Sequence, residues 1–336
     1  MGLRVRDRII ELISEFEGKY IPQSYIHRSL GVSKSRVSEV LSELEKEGLI
    51  QRHSIGRVNI VYVKPGAFKS VAERRRVNKL KLGIVYSSEY LFLGFFVKNL
   101  QKLGLNVDVV VFNDGFETTR HLAEGLIDIA LSPLVGQLYL YPAYRTYRVM
   151  SSGGMEGGFR VLYKPGDRGV VLSSMISTMD YVRYLVIKSG LVDASSTYYY
   201  RSPSELLLTK KRGYIITWHP VYLKLVKAGY KTILSHEDLP VNFCCSLAIS
   251  NAVGEDLVKT VSEAFSSALD NYKKNPGGLL EYYSSLTGID VSILKSAIPE
   301  YNVVNEMTSG QVEKIISAFA PVVPDKSVYA ESLKRP

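Results

Sequence analysis

Cysteine is nearly absent: the 336 residues hold two, Cys244 and Cys245, and adjacent residues cannot close an ordinary structural bridge. A disulfide-stapled scaffold is excluded, and a reducing compartment is expected. Two cysteines are also too few for a structural zinc set or a Cys-rich iron site; lying in an apolar strand pattern (NFCCSLAIS), they read as buried and inert. Histidine is sparse and dispersed (His27, His53, His121, His219, His236), so no HExxH or H-x₃₋₅-H spacing occurs and no metal site is expected. GxxxxGK[ST], GxGxxG and GxSxG are all missing, so no cofactor and no catalytic residue is assigned. No apolar run reaches the ~18 residues of a spanning helix, and the opening MGLRVRDRIIELISEFEG is charged where a signal peptide is apolar. These absences predict a soluble, cytoplasmic protein without a membrane partner.

What is present is a globular composition, 46% hydrophobic and 22% charged, in a chain long enough for two or three domains. The net charge of +9 is unevenly placed. Residues 1–79 carry 16 Lys and Arg against 9 Asp and Glu, whereas residues 80–336 carry 26 against 24. A small basic segment beside a nearly neutral large one predicts an anionic partner for the first and a different task for the second.

Within the basic segment, Ile9, Leu12, Ile13 and Phe16 have helical spacing, closed by Gly18. A second helix with Tyr25, Ile26 and Leu30 follows Pro22 and stops at Gly31. Ser33 suits the N-cap of a third, whose buried stripe is Val37, Val40, Leu41 and Leu44, ending at Gly48. LIQRHS and VNIVYV, separated by Ile55-Gly56-Arg57, read as a β-hairpin. This order, and above all LGVSKSRVSEVLSELEKEGLIQR (residues 30–52), resembles the MarR-like and archaeal winged-helix regulators over about residues 4–64. The resemblance implies double-stranded DNA as partner. The outer face of the third helix offers Lys34, Ser35, Arg36 and Ser38 to the major groove, and Arg52, His53, Arg57 and Asn59 lie on or near the wing. Residues 65–79, with Arg74-Arg75-Arg76, read as a basic linker.

From Leu80 the apolar runs LKLGIVY, VDVVVF and DIALSP alternate with helical patterns, a β-α-β-α-β order that implies a parallel sheet. Small polar residues follow the strands: Ser87-Ser88-Glu89-Tyr90, Asn113-Asp114, Ser132-Pro133 and Ser151-Ser152-Gly153-Gly154. The run Gly153 to Gly158 reads as a flexible loop. A second αβ pattern carries Ser173, Ser174, Ser177 and Thr178 around a helix start, then YIITWHPVYLKLVKAGYKTIL.

Residues 125–133 (GLIDIALSP), 213–234 and 264–290 together resemble the type 2 periplasmic-binding-protein family that binds nitrate, sulfonates and the pyrimidine precursor of thiamine. The fold class implied is multi-domain: an N-terminal winged helix-turn-helix over 1–64, a linker over 65–79, and a two-lobed α/β domain over 80–336. Lobe 1 is expected at about 80–154 and 241–336, lobe 2 at about 155–240. By resemblance, the cleft is lined by Ser87, Tyr90, Ser132, Ser174, Ser177, Thr178, Trp218 and His219, the last standing where the family usually has glutamate. The expectation is a homodimeric DNA-binding regulator whose cleft senses a small polar or anionic metabolite, such as a sulfonate or a pyrimidine-like compound. Two alternatives accompany it: an enzyme of thiamine-precursor type with an autoregulatory winged helix, and a DNA-binding protein whose large domain only dimerises.

Overall fold

Helical spacing of apolar residues builds the first of two separately cored units, Met1–Lys79 and Leu80–Pro336. The computed structural model describes residues 5–14, 16, 18–55, 58–64, 67, 79–166, 169–208, 212–241, 244–304, 306–319 and 326–334. Arg57 and the Arg74 to Arg76 run lie outside the described residues.

The first unit runs α1 (Val5–Ser14), β1 (Tyr20–Pro22), α2 (Gln23–Leu30), α3 (Lys34–Lys46), β2 (Ile50–Ile55) and β3 (Val58–Val63). Ile9 and Ile13 of α1 are buried with Ile26 and with Val37, Val40, Leu41 and Leu44 of α3. Gly31, at φ +61°, ends α2 in the left-handed region, and the Ser33 hydroxyl accepts the Arg36 N–H at 3.3 Å to start α3. The sheet is antiparallel in the order β1-β3-β2. β1, which periodicity does not reveal, is three residues long and exists by pairing with Ile60 to Tyr62.

The second unit is built on two sheets. β4 (Lys79–Val85), α4 (Leu93–Lys102), β5 (Asn106–Phe112), α5 (Gly115–Ala123), β6 (Ile129–Pro133), α6 (Leu134–Tyr144) and β7 (Tyr147–Gly157) begin the larger. The chain then makes β8 (Phe159–Lys164), β9 (Val170–Ser174), α7 (Thr178–Lys188), β10 (Ser196–Tyr200), α8 (Pro203–Leu208), β11 (Gly213–Trp218), α9 (Val221–Lys227) and β12 (Lys231–Ser235), whose sheet order is β10-β9-β11-β8-β12. It returns through β13 (Cys245–Ser250), α10 (Glu255–Lys274), α11 (Leu280–Thr287), α12 (Val291–Ala297), β14 (Tyr301–Val304), α13 (Ser309–Phe319), α14 (Lys326–Ser332) and β15 (Leu333–Lys334). The larger sheet has the order β14-β7-β13-β6-β4-β5, with β15 beside β7. It is mixed: β4 and β6 are parallel, while β13 is antiparallel to both β6 and β7. Phe265 of α10 packs edge-on against Phe92 and Phe96, fixing that long helix to α4.

The structure differs from the sequence reading between Ser151 and Gly158. The glycine-rich run is no loop. β7 continues through it because its backbone is held on both sides, by β13 at Gly154 and Met155 and by β14 from Gly154 to Gly157. The crossing into the second sheet therefore falls at Gly158, a few residues beyond the expected 154/155 boundary. Gly158, at φ +66°, is packed where a Cβ would overlap the Tyr301 ring.

Candidate functional site

Open α/β sheets bind ligands at the carboxyl ends of their strands, and here such ends from both sheets meet. β4 delivers Ser87, Glu89 and Tyr90; β9 and the start of α7 deliver Ser174, Ser177 and Thr178; β11 ends in Trp218; the returning chain brings Cys244, Cys245 and Tyr301. They line a pocket open to solvent, whose empty space, that solvent included, is about 420 Å³. Trp218 packs against the apolar cores of both sheets, and its indole N–H donates to the Tyr86 carbonyl at 2.8 Å, so the ring is held between the lobes.

The polar groups are largely fixed. Ser177 caps α7 by accepting the Asp180 N–H at 3.3 Å, and its hydroxyl lies 2.6 Å from that of Ser174. The Thr178 hydroxyl donates to the Cys244 carbonyl at 3.5 Å. Tyr90 O–H donates to the Leu131 carbonyl at 3.0 Å and stands 3.1 Å from Cys245 Sγ. The Glu89 carboxyl, 4% exposed, accepts the Cys245 N–H at 3.0 Å. Burial pushes its pKa up to about 7, against the opposing pull of its hydrogen bonds with both cysteines. Burial also pushes the Cys245 thiol well up. For Cys244, the hydrogen bond with Cys245 acts downward, but burial and the neighbouring Glu89 outweigh it. Among the described residues lining the cavity there is no Lys, Arg or His.

Of the eight residues expected in the cleft, Ser87, Tyr90, Ser174, Ser177, Thr178 and Trp218 line the cavity. Ser132 and His219 do not. The Ser132 hydroxyl is consumed by Thr119 at 2.9 Å and Gln137 at 3.1 Å. His219 is 1% exposed, with its ring edge-on to Tyr222 and Nε2 3.4 Å from the Ser296 hydroxyl. Its backbone is pinned on both sides, its N–H donating to the Gly158 carbonyl and its own carbonyl accepting from Ser88 N–H. Burial lowers its pKa to about 4, so the ring is neutral. Glu89 was not singled out as a site residue, and Cys244 and Cys245, expected to be buried and inert, line the pocket with it. Glu89 stood in the polar strand-end Ser87 to Tyr90, but nothing local pairs it with cysteines 155 residues away.

The first unit has a concave surface of its own, lined by Gln23, Ser24, His27 and Arg28 of α2, Lys34, Ser35 and Ser38 of α3, and Asn59. Lys34, Ser35, Ser38 and Asn59 were expected; the α2 residues were missed, although they form the polar face of QSYIHRSL. Arg36 is paired with Glu39 at 2.5 Å and Arg52 with Glu45 at 2.8 Å, so both guanidinium groups are engaged within the unit. His53 is exposed beside Tyr20, with ring centroids 6.1 Å apart.

A family model described as a domain of unknown function, DUF7343, matches residues 3–64. No curated protein matches the chain. Among solved structures, the alkanesulfonate-binding protein SsuA from Xanthomonas axonopodis pv. citri bound to MOPS is similar, with a TM-score of 0.63 at 13% identity, over 77% of this chain and 98% of that one. The periplasmic aliphatic sulphonate binding protein SsuA from Escherichia coli gives 0.60 at 14%, over 77% and 92%. The periplasmic nitrate-binding protein NrtA from Synechocystis PCC 6803 gives 0.58 at 13%, over 76% and 86%. At such identities the likeness speaks for the fold alone: the greater part of this chain has the two-lobed, mixed α/β fold of the type 2 periplasmic binding proteins.

Proposed function

We propose that the protein is a ligand-responsive DNA-binding regulator, in which residues 1–64 act as a winged helix on duplex DNA and the two-lobed unit takes a small molecule in its cavity. The observation that carries this reading is the joining of two dissimilar surfaces in one chain. One is a basic unit with the polar faces of α2 and α3 and Asn59 around one concavity. The other is an interlobe cavity on a solute-binding fold. Arg28 and Lys34 supply positive charge and His27 a ring nitrogen for phosphates, and Ser35, Ser38 and Asn59 supply groups of the kind that read base edges. Binding as a homodimer to a two-fold site is the arrangement such a small reader favours.

The ligands named for the similar structures are anions, but among its described lining residues this cavity offers an anion no cationic side chain and presents it with Glu89. An uncharged polar or cationic ligand suits it better. Closure of the lobes on the ligand would alter the geometry of the dimer and so its affinity for DNA. The test is selection by the full-length protein from a random duplex library. Enrichment of one inverted-repeat motif is expected; recovery of no motif would overturn the DNA-binding half. For the cavity, native mass spectrometry of protein released from cells should show a bound small species lost on Trp218→Ala.

A further inference from the structure

We propose that Cys244, Cys245 and Glu89 form a binding site for a borderline-soft divalent cation, with zinc as the reference ion, in the wall of the interlobe cavity. The two Sγ atoms are 3.6 Å apart, and they and a Glu89 carboxylate oxygen all lie within 4.8 Å of one another. Zinc–thiolate bonds of about 2.3 Å at the tetrahedral angle place two sulfurs about 3.8 Å apart, so the pair needs almost no movement to chelate one ion. A carboxylate oxygen bound at about 2.0 Å would lie about 3.5 Å from each sulfur, so the Glu89 oxygen, now within 4.8 Å of both, has at most about 1.3 Å to close on either. A linear bis-thiolate ion at the same bond length would need sulfurs about 4.6 Å apart, which the adjacent cysteines do not offer. Thiolates exclude the oxygen-seeking magnesium and calcium ions.

The surroundings support the same assignment. Adjacent residues within a strand point to opposite faces, but β13 begins at Cys245, and Cys244 lies just before it, which lets both sulfurs face the cavity. Tyr90 O–H reaches Cys245 Sγ at 3.1 Å, and the Cys245 N–H holds Glu89 at 3.0 Å, the kind of outer contacts that orient metal ligands. No cationic side chain among the described lining residues competes with an ion for these three acidic groups. Three protein ligands leave a fourth position on the cavity side, where a water or an organic ligand would complete the tetrahedron. The inference rests on the proposed function only in taking the cavity as a ligand site, and its test does not involve DNA.

The reduced, metal-free, full-length protein is titrated with cobalt(II) as the spectroscopic probe and then with zinc(II). One equivalent of cobalt should give thiolate-to-metal charge-transfer absorption and tetrahedral visible bands, both bleached by one equivalent of zinc. Cys244→Ser and Cys245→Ser should each weaken zinc binding by more than about 100-fold and remove most of the charge-transfer absorption; Glu89→Gln should keep that absorption and weaken zinc by about tenfold or more. Circular dichroism in chelator reports folding. Should Cys245→Ser not fold, the half-buried Cys244 and the isosteric Glu89→Gln decide the matter. Weak octahedral bands without charge transfer, or zinc affinity unchanged in Cys244→Ser and Glu89→Gln, would overturn the site while leaving the DNA test untouched.

Discussion

At the scale of single residues, His219 and Gly158 show how the crossing between the two sheets is held. The imidazole is buried and neutral, with a pKa near 4 in the folded chain against about 6.5 unfolded. Between those values the unfolded chain binds more protons, so stability rises with pH there. It is fully present above about 6.5 and lost as pH falls toward 4. Roughly 3 kcal/mol is expected to disappear over that window. Urea unfolding at pH 7 and pH 4.5 should show the loss, and His219→Gln should reduce the slope. Gly158 is constrained by space and by backbone together. Its φ of +66° disfavours any side chain, and an added Cβ would fall about 2.0 Å from the Tyr301 ring. Gly158→Ala should therefore cost about 3 kcal/mol or more, read as a lower urea midpoint at unchanged slope.

Among the elements, one ion pair ties the start of β8 to the turn before β14. Arg160 Nη2 meets Glu300 Oε2 at 2.5 Å, Arg160 also reaches His236 Nδ1 at 2.8 Å, and its guanidinium lies 5.1 Å from the Tyr222 ring centroid. With exposures of 15% and 20% the pair is partly screened, so Glu300→Ala should cost about 2 kcal/mol, mostly from leaving Arg160 without its anion. The double variant Arg160→Met/Glu300→Leu should recover much of that in the same urea assay. In the basic unit, Ser33→Ala removes the N-cap of α3 and should cost about 1 kcal/mol, lowering the first unit's melting transition and leaving that of the second in place. The three helices of the first unit were legible because each writes its own signals: a 3.6-residue apolar stripe in α3, Ser33 before it, Gly31 closing α2. The opening of β7, Tyr147 to Met150, was legible as a strand, but its continuation to Gly157 was not, since glycines usually mark turns and the extended form there depends on β13 and β14, about 90 and 145 residues further on. β1 is equally a product of its partner strand.

For the whole molecule, each unit has its own apolar core: Ile9, Ile26 and Leu41 belong to one, and Leu82, Phe96 and Leu247 to another. Scanning calorimetry of the full chain should then resolve two transitions, and a ligand of the cavity should raise only that of the larger unit. The candidate site was legible where it follows from strand-end chemistry, as for Ser87, Ser174 and Ser177, and where the family resemblance pointed to it, as for Trp218. It was illegible where it needs distant residues brought together, as with Glu89 and the two cysteines. Ser132 and His219 failed for the complementary reason: each has the right chemistry and position along the chain, but Thr119 and Gln137 in one case and Tyr222 and Ser296 in the other hold the side chain away from the cavity. The linking of a nucleic-acid reader to a ligand cavity is the central claim, and the most direct measurement is the affinity of the full chain for duplex DNA across a salt series. The account predicts that log K falls linearly with log salt at about −0.9 per phosphate neutralised, and that Lys34→Ala reduces the slope by about 1. Absence of binding, or an affinity indifferent to salt, would contradict it.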